Sequence, residues 1–419
     1  MIFYKKIIEI TYFVTEKSAN LYVFLTYIRI SGKIEKITLK GKKLMKTAKR
    51  LMILLPVLFL LSAALIMGCT HRNKSEVKDI IKSELDLLKN LDSETARKYI
   101  SYKEFFPDAK GNTELSEEIK EVFSLFFRDF DYKILDISVD NKDKCASASL
   151  RLSTIDAHSL AKDFAASLLK TEILEAAQNA SQDTKAAVSL EEHYLLLNHL
   201  LKTREYKTSE TNCTIQLVNT GNTQDENWEI KRTHSLENDL VGGLMTYLSD
   251  PDILSPEDTL TVYLKTLKKM NLDEISNYLG VVSIMNASDP SKSSIASALA
   301  EQIHQTFNFK IKECNIEGYH AVVTTEITTF DSDAILTEYQ KELDSYLASP
   351  DAVIDGSSKR YEKSLNVLLD CIKNNKATRT VEVAFILVND GVSWKLQDAG
   401  TALGDAIFGI LSISPVDEA

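Results

Sequence analysis

Apolar residues recur at helical spacing in two stretches that lie far apart in the chain. The first set is Val77, Ile80, Ile81, Leu85, Leu88 and Leu91, and the second set is Leu260, Leu264, Leu267 and Met270. Because an α-helix turns once in about 3.6 residues, each set lies along one helix face and predicts an amphipathic helix. A shorter helical pattern follows each opening helix, through Tyr99 or Tyr278, and a third covers about 115–128 and about 294–305.

Alternation of apolar and polar residues follows each group of helices. The alternating apolar-face positions are Ala146, Ala148, Leu150 and Leu152, and later Ala321, Val323, Thr325 and Ile327. A period of two predicts strands with one face in the core, each the second of a pair. A long helical hairpin then interrupts each sheet, at about 157–204 and 332–376. Two more strands follow, and Asn389-Asp390-Gly391 predicts a tight hairpin turn between the second of these pairs. A short helix near Gly242-Gly243 or Gly409 closes each pattern.

The two patterns are copies of one arrangement, because matching residues keep the same order. The matches are Leu88-Lys89 with Leu267-Lys268, Tyr99-Ile100 with Tyr278-Leu279, Phe130–Ile134 with Phe307–Ile311, Ser153–Asp156 with Thr328–Asp331, Thr214–Leu217 with Thr380–Val383, and Trp228 with Trp394. We interpret residues 75–248 and 257–413 as two repeat domains joined by a linker at 249–256. The predicted fold is α+β, with two tandem repeats in which helices pack on a mainly antiparallel sheet with an inserted helical hairpin.

Helices followed by a meandering sheet, with one tryptophan on the last strand, define a recognisable domain type. This order resembles the nuclear-transport-factor-2-like domains, also called ketosteroid-isomerase-like or cystatin-like, that are common in lipoproteins of Gram-positive bacteria. The resemblance covers essentially all of 75–413 and implies a cone-shaped cavity between helices and sheet. The helical hairpin inserted in mid-sheet departs from the simplest form of that fold.

An apolar run, Leu51–Gly68, lies between a basic patch and a cysteine. This order is typical of a secretory signal, and Ile66-Met67-Gly68-Cys69 resembles the lipobox of bacterial lipoproteins. The resemblance implies cleavage between Gly68 and Cys69 and a diacylglyceryl thioether on Cys69. A plain transmembrane anchor is the alternative, because 18 residues approach the lower limit for crossing about 30 Å of hydrocarbon. Both interpretations place the chain after Cys69 on the extracytoplasmic side of the cell membrane.

Residues 1–44 lie upstream of what an ordinary signal peptide needs. Met45 would begin a signal peptide of normal length at 45–68, and 69–74 would form a short tether. Lys40-Gly41 must be encoded AAR-GGN, which resembles a ribosome-binding site three codons before the codon of Met45. The hypothesis is that 1–44 is a non-native upstream extension read as protein.

Charge narrows the classes of partner once the signal is set aside. Residues 1–68 contain 12 of the 49 Lys and Arg and 3 of the 60 Asp and Glu, so residues 69–419 contain 37 basic and 57 acidic residues, a net charge of −20. Such an acidic chain is not expected to bind nucleic acid, and it offers no basic patch for anionic lipid. The lipid on Cys69 would hold the protein at the membrane.

No catalytic or metal-binding signature is found in the sequence. Glycine is scarce, with 14 residues, and there is no phosphate-binding loop, dinucleotide fingerprint or nucleophile elbow. His193 and His199 fall on different faces of one helix and cannot share a metal through one turn. The cysteines after Cys69 are Cys145, Cys213, Cys314 and Cys371, which follow no zinc or redox spacing and are expected to be buried free thiols, with one disulfide as the alternative. No cofactor, metal or catalytic residue is predicted.

Six shared residues are the candidates for a cavity site: Asp156, Asp331, Tyr99, Tyr278, Trp228 and Trp394. In ketosteroid-isomerase-like enzymes a cavity carboxylate transfers protons beside a tyrosine. The favoured interpretation is structural, because each Asp directly precedes a helix that it could cap. The tyrosines and tryptophans would then be core residues rather than ligand contacts.

Three functions follow from these patterns. The preferred one is a non-catalytic, membrane-anchored binding or scaffold lipoprotein that meets an unidentified envelope protein. The second is a binder of a small ligand in one or both cavities, and the third is a ketosteroid-isomerase-like enzyme. The orientation of Asp156, toward a cavity or toward the helix at Ala157, distinguishes the third from the others.

Overall fold

The computed structural model describes most of the chain after the predicted signal. The described residues are 73–411 except 102, 104, 108, 110–115, 141, 179–188, 222–226, 282–289, 398 and 410. In chain order the first part contains α1 (73–89), α2 (Ser93–Tyr99), α3 (Glu117–Leu125), β1 (Asp131–Asp140), β2 (Cys145–Ile155), α4 (Ala157–Gln178), α5 (Leu190–Thr203), β3 (Thr208–Asn219), β4 (Trp228–Ile230), α6 (His234–Leu240) and α7 (Leu244–Leu248). The second part contains α8 (Pro256–Lys269), α9 (Leu272–Tyr278), α10 (Pro290–Thr306), β5 (Asn308–Glu317), β6 (His320–Phe330), α11 (Ser332–Leu347), α12 (Pro350–Ile354), α13 (Ser357–Asn374), β7 (Thr378–Asn389), β8 (Trp394–Leu396) and α14 (Ala399–Phe408).

Two four-stranded antiparallel sheets form the framework, one in each part. Their strand orders are β1-β2-β3-β4 and β5-β6-β7-β8. Corresponding strands have equal lengths of 10, 11, 12 and 3 residues. Both first strands carry an irregularity at the same place, between Ile134 and Asp136 and between Ile311 and Glu313. The predicted α+β class with two tandem repeats is confirmed, including the helical hairpin between the second and third strands.

The register of the third strands corrects one sequence match. Ile215 pairs with Ala148 in the first sheet, and Phe385 pairs with Val323 in the second, so Ile215 corresponds to Phe385. Thr214 therefore corresponds to Ala384 and not to Thr380. A shift of four residues leaves every side chain on the same face, so the alternation could not reveal it. The loop before Trp394 is four residues shorter than the loop before Trp228, and this keeps the two tryptophans equivalent.

Two predicted helix boundaries also differ from those in the structure. Leu91 does not belong to the opening helix as its spacing predicts: it lies beyond the end of α1, is exposed and has a positive φ of 62°. Val77, Ile81, Leu85 and Leu88 of that helix are buried as predicted, and Ile80 is partly buried against the same core. Helix α10 begins at Pro290, four residues before the predicted start, because proline is well suited to the first turn of a helix.

Aromatic side chains fill the space between helices and sheet in the first part. Phe105 stacks on Phe126 with ring centroids 5.4 Å apart, and the edge of Tyr194 meets Phe106 at 5.5 Å. These rings belong to one buried cluster with the core face of β2 and β3. Edge-to-face and stacked rings pack densely, so this region of the described structure is a filled core.

Helix α4 connects the two parts by packing in both of them. Its first half, including Leu160 and Phe164, lies in the first core, whereas Ile173 and Ala177 lie in the second core. Lys162 also forms a 2.7 Å ion pair with Asp258 at the start of α8. The chain from Val77 onwards accordingly forms one compact unit. The sequence boundary at 249–256 separates the two sheets but not the two cores.

The linker is held by the second sheet. The carboxylate of Asp252 accepts hydrogen bonds from Trp394 Nε1 at 2.7 Å and from Asn389 Nδ2 at 3.1 Å. Asn389 also donates to the carbonyl oxygen of Pro251. Ser255 then caps α8, and Pro256 takes its first position, a combination that favours the start of a helix. The bonds to Asp252 and the fixed φ angles of Pro251 and Pro256 together restrict the linker.

Candidate functional site

Asp156 caps helix α4. The backbone N–H of Ser159 donates to its carboxylate at 3.1 Å, and the Ser159 hydroxyl donates at 2.7 Å. Partial burial acts to raise the pKa of Asp156, but the bonds from Ser159 and the charge of His158 outweigh it and hold the pKa below its ordinary value. A carboxylate held in its ionised form by a cap is a poor proton acceptor at neutral pH. The orientation is the one predicted for a structural residue.

Asp331 has the same role at the start of α11. Its carboxylate accepts from the backbone N–H groups of Asp333 and Ala334 at 3.0 and 3.1 Å. Its own N–H donates to the carbonyl oxygen of Ala377 at 2.9 Å, which fixes the corner between strand and helix. The N–H of Asp156 makes the equivalent bond to Lys207. The two copies therefore share one capping corner.

Tyr99 lies in the core with its hydroxyl bonded to a carboxylate that the sequence reading missed. The hydroxyl donates to Glu84 Oε2 at 2.9 Å, and Lys98 also binds Glu84, at 2.8 Å. Burial, and then the bond to Glu84, raise the pKa of Tyr99 far above its ordinary value. The structure thus pairs Tyr99 with Glu84 on the neighbouring helix and pairs Asp156 with Ser159.

Tyr278 is partly buried against the second core. Burial raises its pKa to about 12, and nearby Tyr263 adds to the shift. Its phenol is therefore neutral over the whole physiological range. Tyr278 is not an equivalent of Tyr99 in its surroundings, because the residue at the position of Glu84 in the second copy is Tyr263.

Trp228 and Trp394 are core residues, 3% and 5% exposed. Both lie opposite an asparagine on the preceding strand, Asn219 or Asn389. The indole N–H of Trp394 binds Asp252, so this ring anchors the linker. Neither ring offers a free face for stacking on a ligand, in agreement with the prediction that they fill the core.

A cleft of about 750 Å³ lies between helices α11 and α13 of the second part. Its lining includes Ile335 and Val367, and it carries the carboxylates of Glu338, Glu342 and Asp370. The cleft is on the inserted hairpin and not between helices and sheet, where the family resemblance places a cavity. Sequence reasoning missed it because the hairpin pattern indicates helices but not the gap between them.

The described part of the chain contains the cysteines Cys145, Cys213, Cys314 and Cys371. The cysteines there are free thiols, but only Cys213 is buried, and the expectation of buried thiols is wrong for Cys145, Cys314 and Cys371. Burial, with neighbouring Asp239, raises the pKa of Cys213 to about 12, so this thiol is unreactive. Among the described residues no cluster of three metal-ligating side chains occurs.

A buried carboxylate ties α6 to the segment after α2. Glu237 is 5% exposed, pairs with Arg232 and accepts from the N–H of Ser101 at 3.2 Å. The second copy has Leu403 at the corresponding position. The ion pair of Glu237 with Arg232 is therefore specific to the first copy. A single Glu in a short helix does not indicate in the sequence that it will be buried and paired.

Gly68 and Cys69 lie outside the described residues, as do residues 1–44 and the signal segment 45–68. The tether 69–74 is described only from residue 73. None of the helices that the structure describes is long and apolar enough to cross a membrane.

Comparison with known proteins gives little further information. No family model and no curated protein matches the chain. One solved structure is similar to it, that of a candidate lipoprotein (ycdA) from Bacillus subtilis subsp. subtilis str. 168, at 12% identity and a TM-score of 0.24, covering 66% of this chain and 96% of that one. A TM-score of this size carries no argument about fold or function.

Proposed function

We propose that the chain is a lipid-anchored, extracytoplasmic protein whose two-sheet body binds an envelope partner without catalysing a reaction. The anchor rests on the sequence Ile66-Met67-Gly68-Cys69 after an apolar run with a basic flank. The absence of catalysis rests on one structural observation. The carboxylate best placed by sequence for proton transfer, Asp156, is used by helix α4 as its cap.

The stiffness of the body supports a scaffold role. Helix α4 packs in both cores, and Asp252 is bound by Trp394 and Asn389. A partner that contacts both copies would therefore meet two surfaces held at a fixed spacing. Fixed spacing lowers the entropy that a two-point contact has to lose on binding.

The anchor is tested by Cys69→Ala in the full chain. Stable attachment needs about two lipid chains, and the thioether on Cys69 supplies them. We expect the variant either to be released into the aqueous phase or, if it stays uncleaved, to keep its apolar signal segment and to be larger than the processed parent. A conservative substitution in the tether, Thr70→Ser, should behave as the parent. A Cys69→Ala variant that matches the parent both in size and in detergent partitioning would contradict the anchor.

Small-molecule binding is the second candidate, and the cleft between α11 and α13 is the observation that favours it. A volume of about 750 Å³ lies within the range of about 300–1,000 Å³ that is usual for ligand sites. Native mass spectrometry of protein extracted from membranes would show a bound small molecule. Val367→Trp, which places an indole in the cleft, should remove that mass, and a spectrum without any adduct would contradict this candidate.

A ketosteroid-isomerase-like enzyme has less support. Such chemistry needs a carboxylate and a tyrosine that converge on one substrate. The hydrogen bonds of Asp156 to Ser159 and of Tyr99 to Glu84 favour the non-catalytic proposal instead.

A further inference from the structure

We draw no further inference here: the strongest candidate, the cleft between helices α11 and α13, belongs to the small-molecule site already described, and its lining carries lysines beside its carboxylates, so nothing in the described part of the chain selects one chemical class of ligand for it.

Discussion

At the scale of single residues, Asp156 stands where strand β2 ends and helix α4 begins, and it satisfies donors that the helix would otherwise leave unpaired. Loss of such a cap usually costs about 1 kcal/mol. We expect Asp156→Ala to lower the free energy of unfolding by about this amount and Asp156→Asn to lower it less, since Asn keeps an acceptor oxygen. Denaturant unfolding followed by circular dichroism measures both. A reaction that Asp156→Asn abolishes while the fold stays intact would contradict the structural role.

The pH dependence of the same substitution has a definite sign. The folded-state pKa of Asp156 is depressed, so its contribution is complete above the unfolded value of about 4 and is lost as the pH falls through the folded value. The stability difference between parent and Asp156→Ala should therefore shrink below about pH 4. Asp129→Ala, which changes an exposed carboxylate, is the control. A difference that grows on acidification would exclude a charge-assisted cap.

Alanine substitutions at two glycines should change the stability of the protein in opposite directions. Gly242 has φ +67°, and an added Cβ would lie 2.6 Å from Thr154 Oγ1 and 2.9 Å from the carbonyl oxygen of Ile155. We expect Gly242→Ala to destabilise the protein by about 1–3 kcal/mol. Gly404, inside helix α14, has no atom within 4 Å of such a Cβ, so Gly404→Ala should stabilise by up to about 1 kcal/mol. Melting temperatures that move in the same direction would contradict this.

At the scale of secondary-structure elements, helix α4 is the connection between the two cores. Ile173 is 3% exposed within the second core although it belongs to the first copy in sequence. Ile173→Ala should cost about 2–5 kcal/mol. It should also raise amide hydrogen exchange in α8 and α9 of the second part. Leu195→Ala, at an exposed position of α5, is the control and should change stability by less than about 0.5 kcal/mol. Exchange that rises only in the first part would show that α4 does not join the cores.

Most elements could be predicted from sequence because periodicity reports directly which face of an element is buried. The helices through Tyr99 and Tyr278, the alternating strands and the capping role of Asp156 follow from local pattern alone. The predictions that were wrong or missing concern contacts between residues that lie far apart in the chain. Matching Thr214 with Thr380 instead of Ala384 is an error of four residues, which preserves the alternation of buried and exposed positions. Helix α4 has the same helical period whether it packs on one core or on two.

The site could be predicted less well for a related reason. A carboxylate before a helix predicts a cap with few alternatives. In contrast, nothing local links Tyr99 to Glu84, Glu237 to Arg232 or Trp394 to Asp252, because these partners meet only after the helices and sheets have packed. The cleft between α11 and α13 depends on the separation of two helices, which helical periodicity does not contain.

At the scale of the whole molecule, a compact two-sheet body from Val77 onwards follows a segment with the features of an export signal. The net charge of −20 after residue 68 makes surface attraction to anionic lipid unfavourable. In the proposed function, attachment to the membrane would therefore depend on the covalent lipid at Cys69.

The mass of the mature N-terminal peptide, taken from protein extracted from membranes, tests the central proposal most directly. The lipid-anchored interpretation predicts that the chain begins at Cys69, with a mass increased by a diacylglyceryl group on that cysteine and no peptide from residues 1–68. A chain that keeps Leu51–Gly68, or one that begins elsewhere with an unmodified Cys69, would contradict it.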